Sequence, residues 1–384
     1  MPTTLERMEE QVLSAAPANT VEPALTPAPE RVLIVRLGSM GDMVHTLPAV
    51  ATLRRAWPGA MFGWLVEERW AELLCSRVEF RDGSRTPEKP LIDVVHVVRT
   101  REWRDHPFAR KTLRDLQAAL RELRSSRYEL ALDFQSALRS AAFSQLSRAP
   151  QRLGFSRTIE WPASLFYTRR VEAIGEHVVE QNLSLALAAA RRATPYFGFE
   201  LPRDSAADAV AARQLSQRGF VRFCLMNAAA GWGAKCWPAE RFGEVALALG
   251  QLGMRSLVNY GPGEEPIAHA VVERAGGAAE AITCSMSELI AITRRARLCI
   301  GGDTGPTHLA AALGIPVVAI YGPTDPARNG PFGSPSIVLR SSASATDHAR
   351  RHDPERGLLN ITSREVIAAA ERLLSKTEHR VSSN

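Results

Sequence analysis

Residues 297–326 constrain the fold of this chain more than any other stretch. They read Arg-Leu-Cys-Ile-Gly-Gly-Asp-Thr-Gly-Pro-Thr-His-Leu-Ala-Ala-Ala-Leu-Gly-Ile-Pro-Val-Val-Ala-Ile-Tyr-Gly-Pro-Thr-Asp-Pro. Two short apolar runs, 298–300 and 317–321, are each followed by a glycine-bearing polar loop, and Pro306 and Gly314 bracket a helix-length segment between them. This order predicts strand, turn, helix over 306–313, strand and loop, with both loops on one edge of a parallel sheet. Asp303 and Thr304 stand where they can cap the helix, and Pro306 suits its first turn. The free N–H groups at such a helix start favour an anion, phosphate above all. A capped helix in an ordinary α/β core is the other reading of Gly-Gly-Asp-Thr-Gly. The second polar loop, 321–326, argues for a ligand crevice, because two loops at the carboxyl edge of a parallel sheet make one.

The rest of the chain repeats this grammar. Residues 31–36 form an apolar strand, and 37–42, Leu-Gly-Ser-Met-Gly-Asp, turn into a helix expected over 43–57. That turn matches neither the dinucleotide fingerprint nor the P-loop, so NAD binding and ATP hydrolysis lose support. Further strands are expected at 61–66, 94–98 and 130–134, with a helix up to residue 75 after the second. In the second half, strands are expected at 220–226 and 256–259, each ending in a glycine-bearing loop. A break in pattern around 194–202 divides the chain, giving a leader over 1–30, domains over 31–204 and 205–376, and a frayed tail over 377–384. Two successive βα series predict an α/β fold of two Rossmann-like domains.

A net charge of +6 and a pI near 9.3 favour an acidic partner. Arg99, Arg101 and Arg139 follow strand ends, where ligands bind in this class, although a basic run is also what a solvated helix face looks like. No nucleic-acid-binding motif accompanies the charge. Five cysteines, at 75, 224, 236, 284 and 299, are scattered without a C-x-x-C pair, which fits a reducing cytoplasm and neither a zinc site nor a disulfide framework. The start of the chain does not read as a secretory signal, and no apolar run is long enough to span a bilayer, so any membrane contact is expected to be peripheral. His348, His352 and Asp353 could be imagined as metal ligands, but interleaved arginines favour a solvated loop.

The segment 303–314 followed by 321–326 resembles the donor-site signature of the bacterial lipopolysaccharide heptosyltransferases, glycosyltransferases of the GT-B fold. The resemblance extends from residue 31 to the last helix through 35–49, Leu65-Val-Glu-Glu68, Asp133-Phe-Gln135, Ser164-Leu-Phe-Tyr167, His177-Val-Val-Glu180 and Lys235-Cys-Trp-Pro238. It is greatest to the heptosyltransferase I branch, which adds the first heptose to Kdo. The resemblance implies two parallel sheets facing a central cleft, and inverting transfer of heptose from an ADP-heptose donor to a Kdo-lipid A acceptor. The alternatives are transfer of another heptose or hexose, or binding of a nucleotide sugar without turnover. Asp42 matches the family's catalytic base; read alone, it is equally a helix cap. Lys235, Glu265, Asp303, Thr304, Gly305 and His308 match donor-binding positions, with Glu264 the alternative to Glu265 and His308 alternatively a core residue. Arg36, Ser39, Met40, Gly41, Arg99, Arg101, Gln135 and Arg139 are candidates for the acceptor side, since guanidinium binds carboxylate and phosphate in bidentate fashion. No Asp-x-Asp pair stands beside the signature, so neither metal nor other cofactor is expected. The chain departs from the family at 228–232, Ala-Ala-Ala-Gly-Trp, which lacks hydroxyl side chains, and at Cys236, where a basic residue is frequent. A cytoplasmic enzyme touching the inner membrane from that side is the implied location.

Overall fold

A computed structural model describes residues 28–190, 193–347 and 351–381, so most of the expected leader, His348 and residues 349–350 lie outside the described residues. The chain forms two compact units, the first ending at Arg203 and the second beginning at Asp204. Each is a parallel sheet of six strands flanked by helices.

In the first unit the strands are β1 (Arg31–Val35), β2 (Met61–Glu67), β3 (Val94–Val98), β4 (Leu130–Asp133), β5 (Gln151–Phe155) and β6 (Arg169–Val171). Their helices are α1 (Met40–Ala56), α2 (Thr100–Asp105), α3 (Arg110–Ser125), α4 (Leu138–Leu146) and α5 (Val178–Ala189). The order across the sheet is β3-β2-β1-β4-β5-β6. Strand β1 is covered on both faces, which is why residues 32–35 read as an unbroken apolar run rather than an alternation. Helix α3 carries an apolar stripe through Leu116, Leu120 and Leu123, spaced by one and two turns, and that stripe packs on Leu33, Val35, Leu65 and Val98.

The second unit has β7 (Phe223–Asn227), β8 (Arg255–Asn259), β9 (Ala279–Ile282), β10 (Leu298–Gly302), β11 (Val317–Tyr321) and β12 (Ser336–Arg340). Its helices are α6 (Ser205–Gln217), α7 (Ala239–Gln251), α8 (Glu265–Arg274), α9 (Met286–Thr293), α10 (Gly305–Ala312), α11 (Pro326–Asn329), α12 (Arg356–Asn360) and α13 (Ser363–Val381). The sheet order is β12-β11-β10-β7-β8-β9. Each unit thus reverses strand order between its first and fourth strand, β1 and β4 or β7 and β10, and a doubly wound sheet opens its ligand crevice at that reversal.

Three expectations about local structure are corrected. Helix α1 begins at Met40, because Ser39 occupies the N-cap position and Asp42 closes a capping box from the third helical residue; Asp42 is inside the helix, not in the turn before it. The segment after β2 is a 3-10 turn, Glu68–Leu73, rather than an α-helix. The last helix runs to Val381 and so passes the boundary expected at 376.

Candidate active site

In the first unit, β1 delivers Arg36 and the 37–42 segment to the strand-reversal edge. The Arg36 side chain is nearly buried, donates to the Phe134 carbonyl, and pairs with the Asp42 carboxylate at 2.7 Å. The other Asp42 oxygen accepts from the Ser39 N–H at 2.9 Å and the Ser39 hydroxyl at 3.0 Å. Asp42 nonetheless keeps 41% of its side chain exposed, so a proton donor can reach it from solvent. Gln135, arriving from β4, accepts from the Leu37 N–H at 2.9 Å and ties the two loops together. Met40 and Gly41 are buried in the first turn of α1 and contribute shape rather than polar side-chain atoms. Gly38 has φ +154°, and a Cβ there would stand 2.7 Å from the Trp70 indole nitrogen, so the turn is pressed against that ring and takes only glycine.

The other three arginines are not equivalent. Arg99 is committed, its fork closing on Glu68 at 2.7 and 2.6 Å, an arrangement that pushes the guanidinium pKa up. That pairing occupies the guanidinium fork expected to meet an acidic acceptor. Arg139 donates to the Thr100 hydroxyl at 2.5 Å and lies 3.8 Å from Glu67, with 48% of its side chain exposed. Arg101 is exposed on α2, with no ion pair among the described residues. Behind this edge, Asp133 is fully buried and accepts from Gln135 N–H, Ser136 N–H, the Ser140 hydroxyl and the Tyr167 hydroxyl. Burial raises its pKa against those four donors, and its work is to brace the loop after β4.

In the second unit, the loops after β7 and β10 meet. Lys235 closes the 3-10 turn Gly233–Lys235, and its ammonium pairs with Asp303 and sits 4.9 Å from the centre of the Trp232 ring. The other Asp303 oxygen meets His308 Nε2 at 3.0 Å. Burial alone would raise the Asp303 carboxyl, but the imidazole and the ammonium together outweigh it and hold the group well below the usual carboxylate range. His308 is buried, as its core reading expects, and its imidazole belongs to this polar cluster. The expected capping role of Asp303 and Thr304 does not hold: Thr304 takes the N-cap position without a side-chain cap bond and its hydroxyl meets that of Thr307 at 3.0 Å, while Asp303 is spent on Lys235 and His308. Gly305 is the first residue of α10. Glu265 stands apart at the exposed start of α8, 3.9 Å from His269, whereas its neighbour Glu264 turns back to accept from Gly261 N–H at 2.8 Å.

Sequence reasoning missed how the lysine turn is held. The C-terminal segment lies along it: Ala234 N–H donates to the Arg351 carbonyl at 3.0 Å, and Glu355 N–H to the Ala234 carbonyl at 3.2 Å. A Cβ at Gly233 would come within 1.6 Å of the His352 carbonyl oxygen, so glycine is required there by close approach of backbone. The His/Asp/Arg-rich segment thus has a packing role, with Arg351 paired to Asp347 at 2.7 Å. Among the described residues no group of three or more His, Cys, Asp or Glu side chains could hold a metal ion.

Two strand-reversal edges, one with a reachable carboxylate beside arginines and one with a lysine paired to Asp303 ahead of α10, suit proton abstraction and stabilisation of a departing anionic group respectively. Comparison with known proteins supplies the class. The chain is 28% identical over 347 residues to lipopolysaccharide heptosyltransferase 1 of Escherichia coli, covering 88% of this chain and 98% of that one. It is 30% identical over 325 residues to lipopolysaccharide heptosyltransferase 1 of Pseudomonas aeruginosa, covering 81% and 84%. The solved structure of the E. coli heptosyltransferase WaaC with ADP superposes with a TM-score of 0.71 at 27% identity over 89% of this chain and 99% of that one, so the fold class is GT-B. Residues 116–359 match the profile of glycosyltransferase family 9 (heptosyltransferase), and the chain belongs to that family of enzymes.

Proposed function

We propose that the protein transfers heptose, with inversion and without a metal ion, from ADP-heptose to the Kdo residue of a lipid A-linked acceptor. The observation that carries this reading is the Lys235, Asp303 and His308 cluster at the strand reversal of the second unit, in a chain whose relatives include a heptosyltransferase solved with ADP. Asp42 accepts the proton of the acceptor hydroxyl as its oxygen attacks the anomeric carbon, and the bond to ADP breaks on the opposite face. Lys235 and the start of α10 take up the charge on the departing diphosphate, a contribution that needs no Lewis acid. Glu265 reaches the ribose. Arg36 orients Asp42 through their ion pair. Arg101 and Arg139 receive the acidic groups of the acceptor; Arg99 stiffens the edge through Glu68.

In this reading the first unit binds acceptor, the second binds donor, and the enzyme works at the cytoplasmic face of the inner membrane through peripheral contact. Among the described residues, no helix is long and apolar enough to cross a membrane. The test is a panel of ADP- and UDP-sugars offered with Kdo-lipid A and read by mass spectrometry, in the presence and absence of EDTA. A heptose-sized mass increase from ADP-heptose, undiminished by chelator, is expected. Transfer of a hexose in preference, or activity restored only by Mg²⁺ or Mn²⁺, would overturn the donor or the metal part of the assignment respectively.

A further inference from the structure

The first unit carries an apolar outcrop that the proposed reaction does not use. Ile159, Trp161 and Leu165 are 72%, 74% and 64% exposed, and Leu138 beside them is 41% exposed. The segments that carry them are tied together: Ile159 N–H donates to the Ser136 carbonyl at 2.9 Å, and Leu138 N–H donates to the Glu160 carboxylate at 2.9 Å. The backbone beneath is firm, because the 3-10 turn Trp161–Phe166 is anchored by Ala163 and Tyr167, which pack with Ala141 of α4 in a small buried cluster. The exposed side chains are thus held outward on a fixed turn.

The surrounding charge is net positive. Residues 157–170 hold three arginines and a single glutamate, and that glutamate is occupied by Leu138 N–H. Arg157 and Arg170 are exposed, and Arg170 is tied to the turn through its Nε, which donates to the Ser164 carbonyl at 3.1 Å. An indole and two aliphatic side chains rimmed by guanidinium groups match the headgroup region of an anionic bilayer, where the rings sit at the polar boundary, the aliphatic groups enter the acyl layer and the arginines meet lipid phosphate. The surface starts from the loops after β4 and β5, the sheet edge to which β1 also brings Asp42.

We propose that Ile159, Trp161 and Leu165 insert into an anionic lipid leaflet, with Arg157 and Arg170 on its phosphates, so that the first unit is held where a lipid-linked acceptor lies. This rests on the peripheral membrane contact proposed above and names the surface that makes it. The test is co-sedimentation of the full chain with phosphatidylglycerol-containing vesicles and with phosphatidylcholine vesicles, together with turnover on a Kdo acceptor that lacks acyl chains. The wild type is expected to bind the anionic vesicles. The variant Ile159→Ser/Trp161→Ser/Leu165→Ser should lose about tenfold or more in partitioning, since three apolar side chains no longer leave water. Arg157→Gln/Arg170→Gln should lose binding to the anionic vesicles only. Both variants should keep the wild-type melting temperature and turnover on the acyl-free acceptor.

Failure of the wild type to bind either vesicle would overturn the membrane contact itself. Binding by the wild type with equal binding by the triple variant would overturn this surface and leave membrane contact standing. Loss of turnover on the acyl-free acceptor would make the turn part of the catalytic unit instead of a lipid anchor. Loss of concentration-dependent self-association, with vesicle binding kept, would make it a protein interface.

Discussion

Replacing Lys235 with alanine tests the proposed donor site twice over. The ammonium is 17% exposed and pairs with an Asp303 carboxylate that is 8% exposed, so in the free protein it is already partly neutralised. A charge-assisted hydrogen bond is worth ~1.5–3 kcal/mol. A diphosphate has to compete with Asp303 for the ammonium, which places the loss in ADP binding near the lower end, about tenfold in Kd. The same substitution leaves Asp303 buried with the His308 imidazole as its remaining partner. Breaking a buried pair costs ~3–5 kcal/mol, and the retained imidazole argues for about 3 kcal/mol or less. The two effects separate in Lys235→Ala/Asp303→Asn, where the stranded charge is gone. Calorimetric titration of ADP and thermal unfolding of both variants are the assays. Weak ADP binding in both variants, with stability recovered only in the double variant, is expected. Unchanged ADP affinity in Lys235→Ala would refute the assignment of Lys235 to the diphosphate.

Asp42→Asn should lower turnover by about 10² to 10⁴ while ADP affinity stays native; it also loses the pair with nearly buried Arg36, so a stability decrease of up to ~1 kcal/mol should accompany it. Turnover within a few-fold of wild type would make Asp42 solely a capping residue. Gly233→Ala drives a methyl into the His352 carbonyl and should cost ~1–3 kcal/mol in unfolding free energy and weaken ADP binding by displacing the lysine turn; native values for both would show that the strap yields freely. Asp303 has a depressed folded-state pKa, so its contribution is present above the ordinary carboxylate value of 3.8 and is lost as pH falls below it toward the folded value. Acid unfolding curves should therefore show a smaller loss between pH 4 and lower values in Asp303→Asn than in wild type, and superimposable curves would contradict this.

Much of the architecture was legible because buried parallel strands leave a continuous apolar signature. Residues 32–35 and 317–321 declare themselves by composition, and the glycine loops after them mark the carboxyl edge. What periodicity could not supply was the pairing of polar side chains. Asp303 and Thr304 looked like caps because capping depends on local position, but Asp303 finds Lys235, 68 residues away in sequence, and a buried charge takes the partner that compensates its desolvation. Arg99 reads in sequence as an anion-binding candidate, and its Glu68 partner appears only when β2 and β3 pair side by side. Gly233 carried no signal in its own neighbourhood, since its requirement is set by the backbone of His352. Local patterning thus determined the βα series and the loops that carry chemistry. Tertiary structure decided which charges at those edges are buried in pairs and which stay reachable, Arg101 on exposed α2 and Asp42 through its 41% exposed side chain despite its pair with Arg36, because burial and long-range pairing are properties of the packed chain alone.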